Sequence, residues 1–125
     1  ISKNVGDDLL FSYKRISSIL NDELKDKKIE LSSSADPVLF KTDYENYLYK
    51  KIQSLRKYFS NIDREENYEK TLNNLASSKK EVSDFFDNVI VNDKDISIKK
   101  NRLELLLMLC KTFDNYLNFS KIEST

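Results

Sequence analysis

One glycine and one proline in 125 residues leave this chain few ways to turn tightly. A sheet protein of this length needs a turn every few residues, so β-rich folds are disfavoured and a few long helices are favoured. Apolar residues recur at alternating steps of three and four, the spacing of one helix face. The first such pattern runs from about Asp7 to Asp22 with Leu9, Tyr13, Ile16 and Leu20 on its stripe. The second, about Pro37 to Phe59, carries Tyr44, Leu48, Ile52, Leu55 and Phe59. The third, about Arg64 to Val89, carries Tyr68, Leu72, Leu75, Val82, Phe86 and Val89, with Lys79 as the only cation interrupting the stripe. The fourth, about Lys94 to Phe119, carries Leu103, Leu106, Cys110, Phe113 and Leu117, and is apolar on every side from Leu105 to Cys110.

Between the first two patterns, Lys25 to Asp36 is polar and reads as a loop ending in an Asp36-Pro37 helix start. Asn61 and Asp63 mark a break and cap, and Asn92-Asp93 a turn. Four helices with short connections predict an all-α antiparallel bundle forming one domain over residues 1–125. The first residue, Ile1, points to a piece of a longer protein.

Composition removes most enzyme chemistry. Without histidine there is no Ser-His-Asp triad or Cys-His dyad, and one cysteine allows neither an internal disulfide nor a Cys/His zinc site. Gly6 belongs to no phosphate-cradling loop, and the acidic residues are scattered at surface spacings without an acid/base pair. Cys110 reads as a core thiol, and a single thiol suits a reducing cytosol. The longest apolar run, Leu105 to Cys110, is far short of the roughly 20 residues of a membrane span. Twenty-one basic residues against twenty-one acidic ones leave no global pull toward nucleic acid, so any such footprint must be local.

Local candidates exist, each with a plainer reading beside it. Lys14, Arg15 and Ser18 lie opposite the first stripe with Phe11 beside them: a group for holding phosphate and stacking a base, or a solvated face. Tyr49 and Arg56 share a flank of the second helix and stack either on a base or on each other. Lys79 either snorkels at the bundle edge or points into a polar groove. Asn88 and Asn92 carry amides suited to base edges or to helix capping. Asn101 and Arg102 precede the apolar block and either contact phosphate or solvate a helix start.

Three segments also resemble a known family. Lys14-Arg15-Ile16-Ser17-Ser18-Ile19-Leu20 is similar to a KR-x-x-N-I-L stretch; Tyr68 to Val91 reads Y-x-x-x-L-x-x-L-A, Lys79, then V-S-D-F-F-D-N-V-I-V; Asn101 to Leu106 reads N-R-L-x-L-L. In this order they resemble the C-terminal anticodon-binding domain of bacterial glycyl-tRNA synthetase beta subunits, the all-helical DALR type shared with arginyl-tRNA synthetases. The resemblance runs from about Tyr13 to Phe119. It implies a domain that binds the anticodon arm of tRNA(Gly), in the cytoplasm and away from membranes, and that is non-catalytic by itself and holds no cofactor. The alpha subunit of such an enzyme uses ATP and glycine, and two alpha and two beta subunits assemble. Carried over by position, the family's pattern falls on Lys14, Arg15, Ser18, Lys79, Asn101 and Arg102, with Asn88 a candidate for base contact. Ser18 stands where the pattern has Asn, Ser83 where an acidic residue is common, and the tail after Leu117 departs from it. A domain of the same fold from an arginyl- or cysteinyl-type synthetase, and a helical module that docks a protein partner, remain as alternatives.

Overall fold

The computed structural model describes residues 3–25, 31–32, 34–60 and 68–116. Their regular structure is helical: α1 (Lys3–Leu24), a 3-10 turn (Pro37–Leu39), α2 (Asp43–Phe59), α3 (Tyr68–Ala76), α4 (Lys79–Asn88) and α5 (Ile96–Tyr116). Asn61, Asp63, Arg64 and the stretch from Leu117 to Phe119 lie outside the described residues.

Cross-helix contacts fix the direction of each helix. Tyr13 reaches Asp114, and Glu23 reaches Lys99, so α1 and α5 run antiparallel. Asp8 pairs with Lys79, and Arg15 lies on Phe86, so α1 and α4 run parallel. Glu45 meets Arg102, and Arg56 meets Thr112, so α2 runs with α5. The result is an up-down-up-down bundle in which α3 and α4 together form the third rod.

The stripes account for the core. Leu9, Ile16, Leu48, Ile52, Leu72, Leu75, Leu103, Leu106 and Phe113 are all buried to within about one per cent. Burying a side chain of this size contributes roughly 1.5–3 kcal/mol. Helix α5 is buried on nearly every side from Asn101 to Phe113, because α1 and α2 both pack on it and the 3-10 turn covers its start.

Several helix limits differ from those expected. The second starts at Asp43, not Pro37: Asp36 caps only the short 3-10 turn, and Thr42 then caps α2. Thr42 and Glu45 form a reciprocal capping box, each satisfying an amide of the other. The third helix breaks at Ser77-Ser78. There the Ser77 hydroxyl donates to the Asn74 carbonyl and the Ser78 hydroxyl to the Leu75 carbonyl at 2.7 Å, replacing ladder bonds with local ones. The buried face nevertheless runs on through Leu75, Ser78, Val82, Phe85 and Val89, so Phe85 is fully buried while Phe86 sits half-buried at the edge. The fourth helix begins at Ile96, two residues later than expected, where the Asp95 carboxylate accepts the Ser97 amide at 2.9 Å.

The described part of the loop before Pro37 is strapped along α5. The Ser32 amide donates to Glu104 at 3.0 Å and the Ser32 hydroxyl to the same carboxylate. The Ala35 amide points at Met108 Sδ at 3.3 Å, and the Asp36 amide donates to Asn101 Oδ1 at 2.7 Å.

Candidate nucleic-acid interface

Helix α1 turns one face to solvent. Phe11, Lys14, Arg15 and Ser18 recur there at steps i, i+3, i+4 and i+7, and all four are exposed. The break at Ser77-Ser78 sets α4 beside this face. The Arg15 guanidinium lies over the Phe86 ring, 4.4 Å from its centre, a cation–π contact made by a side chain that stays exposed. Two turns toward the other end of the same seam, Lys79 Nζ pairs with Asp8 Oδ1 at 2.8 Å. Lys79 is the first residue of α4, exposed at the bundle edge and not in a polar groove. The buried position of that stripe is taken by its neighbour Ser78. Arg15 and Lys79 are thus brought to one seam, and Lys14 and Ser18 share the exposed face of α1 beside it, with Phe11 exposed at its margin.

Asn88 stands elsewhere. It lies nine residues beyond Lys79, about half a turn round α4. Its amide donates to the Asp84 carbonyl at 2.8 Å. Asn92 is exposed in the following turn.

Asn101 and Arg102 are buried. The Asn101 amide completes a two-bond pair with Asp36, accepting its N–H and donating to its carbonyl at 3.0 Å. Arg102 donates from Nη1 to the Ile90 carbonyl at 2.6 Å and to Asp93 Oδ2 at 3.3 Å, and from Nη2 to Glu45 Oε1 at 3.2 Å. Both side chains are committed to joining α5 to the segments around it. Tyr49 and Arg56 do not stack on each other: Tyr49 packs edge-on against Phe40 at 5.5 Å, and Arg56 Nε reaches Thr112 Oγ1 at 3.4 Å.

On the opposite flank of α4, a groove of about 470 Å³ lies between it and α2, which packs against it. Tyr44, Tyr47, Lys50 and Lys51 line it from α2, and Lys80 and Asp84 from α4. Sequence reading did not single out this group. Its signal was the recurrence of Tyr47, Lys50, Lys51 and Ser54 at i, i+3, i+4 and i+7, the same pattern as on α1.

Cys110, Tyr13 and Asp114 meet at the α1–α5 contact. The hydrogen bond from Tyr13 to Asp114 Oδ1, 2.7 Å long, together with burial pushes the phenol up to about 12. Burial first, and then the Asp114 charge, raise the Cys110 thiol, which keeps it protonated and inert. Among the described residues, no three His, Cys, Asp or Glu side chains converge as a metal site requires. None of the described helices is long and apolar enough to cross a membrane.

Residues 9–124 match the DALR anticodon binding domain family. Beta subunits of glycine–tRNA ligase are similar over almost the whole chain. That of Rickettsia prowazekii is 38% identical over 120 residues, covering 96% of this chain and 17% of the relative. That of Rickettsia typhi is 38% identical over 120 residues, with the same coverage of 96% and 17%. That of Rickettsia bellii is 37% identical over 122 residues, or 98% of this chain and 17% of the relative. The chain therefore spans about one sixth of the length of these curated relatives.

Proposed function

This chain belongs to the DALR anticodon-binding domain family, and from that membership we propose that it grips the anticodon arm of tRNA(Gly) as the tRNA-recognition domain of a glycine–tRNA ligase beta subunit. The observation that carries this reading is the α1–α4 seam. There, Lys14, Arg15 and Lys79 present cations at the surface, and Phe86 orients one of them. Arg15 and Lys14 serve the phosphates of the anticodon loop, with the exposed Ser18 hydroxyl beside them. Lys79 exchanges its exposed partner Asp8 for a phosphate at little cost, since such surface pairs are worth only about 0–1 kcal/mol. Asn101 and Arg102 act indirectly, by holding the start of α5 and the turn after α4 in place. Asn88 keeps acceptor capacity for a base edge on the other flank of α4.

In this reading the chain supplies binding and no chemistry. ATP and glycine are used at the alpha subunit of a cytoplasmic assembly of two alpha and two beta subunits, and this domain holds the far end of the tRNA. Two anticodon cytosines are common to glycine tRNAs, and an exposed cytosine is read by an acceptor for its amine beside donors for O2 and N3.

The test is a titration of the full-length protein with a glycine anticodon stem-loop. A loop with both cytosines replaced, and an arginine anticodon arm, serve as comparisons. The reading expects the glycine loop to bind tightest. Equal affinity for all three removes base reading, and no RNA binding at all removes the anticodon role.

A further inference from the structure

The α2–α4 groove has the makings of a nucleotide site. Tyr47 is 54% exposed, and Tyr44 braces it at right angles, with ring centres 6.1 Å apart. A ring held upright in this way offers a face for stacking, at the cost of only two side-chain torsions. Lys50, Lys51 and Lys80 surround it, and none of them is ion-paired among the described residues, although Glu81 and Asp84 line the same groove. At about 470 Å³ the groove falls within the usual range for small-molecule sites. Its lining contains no Leu, Ile, Val or Phe, so it lacks the aliphatic floor that an amphipathic helix of a protein partner would need.

We infer that this groove seats one unstacked nucleotide of the RNA loop, with its base on Tyr47 and its phosphate on Lys50 and Lys51. The inference rests on the RNA-binding reading above and adds a second site to it. Aromatic stacking is tolerant of sequence, and the lysines supply the charge that a nucleotide phosphate requires. The carboxylates add selectivity. Asp84 and Glu81 accept from an exocyclic amine, while Lys80 donates to the ring acceptor beside it, as the edge of cytosine demands. Uracil presents an oxygen where cytosine has its amine and would face the carboxylate unpaired. Helix α4 then stands as a ridge about 10–12 Å wide, with the loop's phosphates on its Lys79 side and the unstacked base on its Asp84 side.

Photo-crosslinking tests this directly. A glycine anticodon stem-loop carrying 5-iodocytidine at one loop cytosine is irradiated with the full-length protein, and the attached peptide is identified by mass spectrometry. The expected attachment is to Tyr47 or Tyr44. Y47A should weaken binding about tenfold, Y47F should leave it unchanged, and K51Q should weaken it severalfold. Tight binding with attachment elsewhere and an unaffected Y47A overturns the groove and leaves the anticodon reading standing. Should the stem-loop not bind at all, the anticodon reading fails and a short iodinated oligocytidylate decides the groove. Attachment to Tyr47 then upholds it, and none overturns it.

Discussion

Arg102 on α5 donates from Nη2 to Oε1 of Glu45 on α2 across 3.2 Å, and both side chains are buried. The same Glu45 oxygen accepts the amides of Lys41 and Thr42, each at 3.0 Å, and the Thr42 hydroxyl. Through its other nitrogen, Arg102 holds the Ile90 carbonyl and Asp93. One guanidinium thereby joins the cap of α2, the start of α5 and the turn after α4.

Removing one member of this pair strands the other in the interior. Arg102→Ala should destabilise the domain by about 3–5 kcal/mol, because a buried carboxylate loses its counter-charge. Glu45→Gln should cost less, since an amide oxygen still serves the Thr42 cap. Arg102→Met and Glu45→Met combined should cost less than the sum of those same two changes made singly by about 1–3 kcal/mol. Denaturant unfolding of the parent, the two single methionine variants and the double variant measures the coupling, and strict additivity would refute it.

Asn101 makes a different prediction, about one loop. Its amide copies a backbone pair and fastens Asp36 to α5 with bonds of 2.7 and 3.0 Å. Asn101→Asp places an oxygen against the Asp36 carbonyl and should cost about 1–3 kcal/mol. Hydrogen exchange at the Asp36 amide is the sharper readout: it should be slow in the parent protein and fast in the variant. Protection that survives the change would show that the strap holds without Asn101.

Much of the bundle was legible in the chain because helical periodicity records burial directly. Leu9, Ile16, Leu48, Ile52 and Leu103 stand where the stripes put them. The break at Ser77-Ser78 escaped that reading for a physical reason. Leu75 and Val82 are seven residues apart, about two turns, so the stripe keeps its phase across an interrupted helix. Lys79 and Phe86 each lie one residue beyond the positions that are buried, Ser78 and Phe85, and a buried serine gives no apolar signal to mark the stripe. Asn101 and Arg102 were misjudged as surface groups because their partners are remote, 65 residues away for Asp36 and 57 for Glu45. Nothing local distinguishes a solvated Asn-Arg pair from one that is spoken for elsewhere in the fold. The α2–α4 groove needed two helices side by side before its lysines and tyrosines became a group.

The seam cations should separate binding from stability. Lys14 and Arg15 are exposed, and their removal leaves the core untouched. Every cation withdrawn from a phosphate should flatten the slope of log affinity against log salt by about 0.7 for a single-stranded loop. Lys14→Ala with Arg15→Ala should therefore flatten it by about 1.4 in all, with little change in unfolding midpoint. An unchanged slope would remove both from the phosphate-binding role.

Asp8 and Lys79 test the same seam from the other side. Their side chains are 35% and 47% exposed, so the pair adds at most about 1 kcal/mol to stability. Asp8→Asn frees Lys79 and removes a negative charge from the proposed RNA path, so it should strengthen stem-loop binding severalfold at low salt. The gain should shrink as salt is raised, because screening shortens the reach of surface charges. Unchanged binding in this variant at low salt would place the RNA away from the α1–α4 seam.

Tyr13 predicts how the fold responds to alkali. Its phenol donates to Asp114 at 2.7 Å, and that bond with burial raises it from 10.0 to about 12 in the folded state. Between those two values the unfolded chain has released the proton and the folded one retains it. Stability therefore falls as pH rises through that window, and the contribution is fully present below about 10. Tyr13→Phe deletes the bond and the titration together. The variant should be less stable near neutral pH, yet it should lose less stability than the parent between pH 10 and 12. Asp114→Asn should bring the phenol down toward 10.0 by removing both the charged acceptor and its repulsion of the phenolate. Unfolding midpoints measured across that range, with tyrosinate absorbance followed in the folded proteins, would decide it. Parallel pH profiles for the parent and Tyr13→Phe would mean that the Tyr13–Asp114 bond does not govern the alkaline limb.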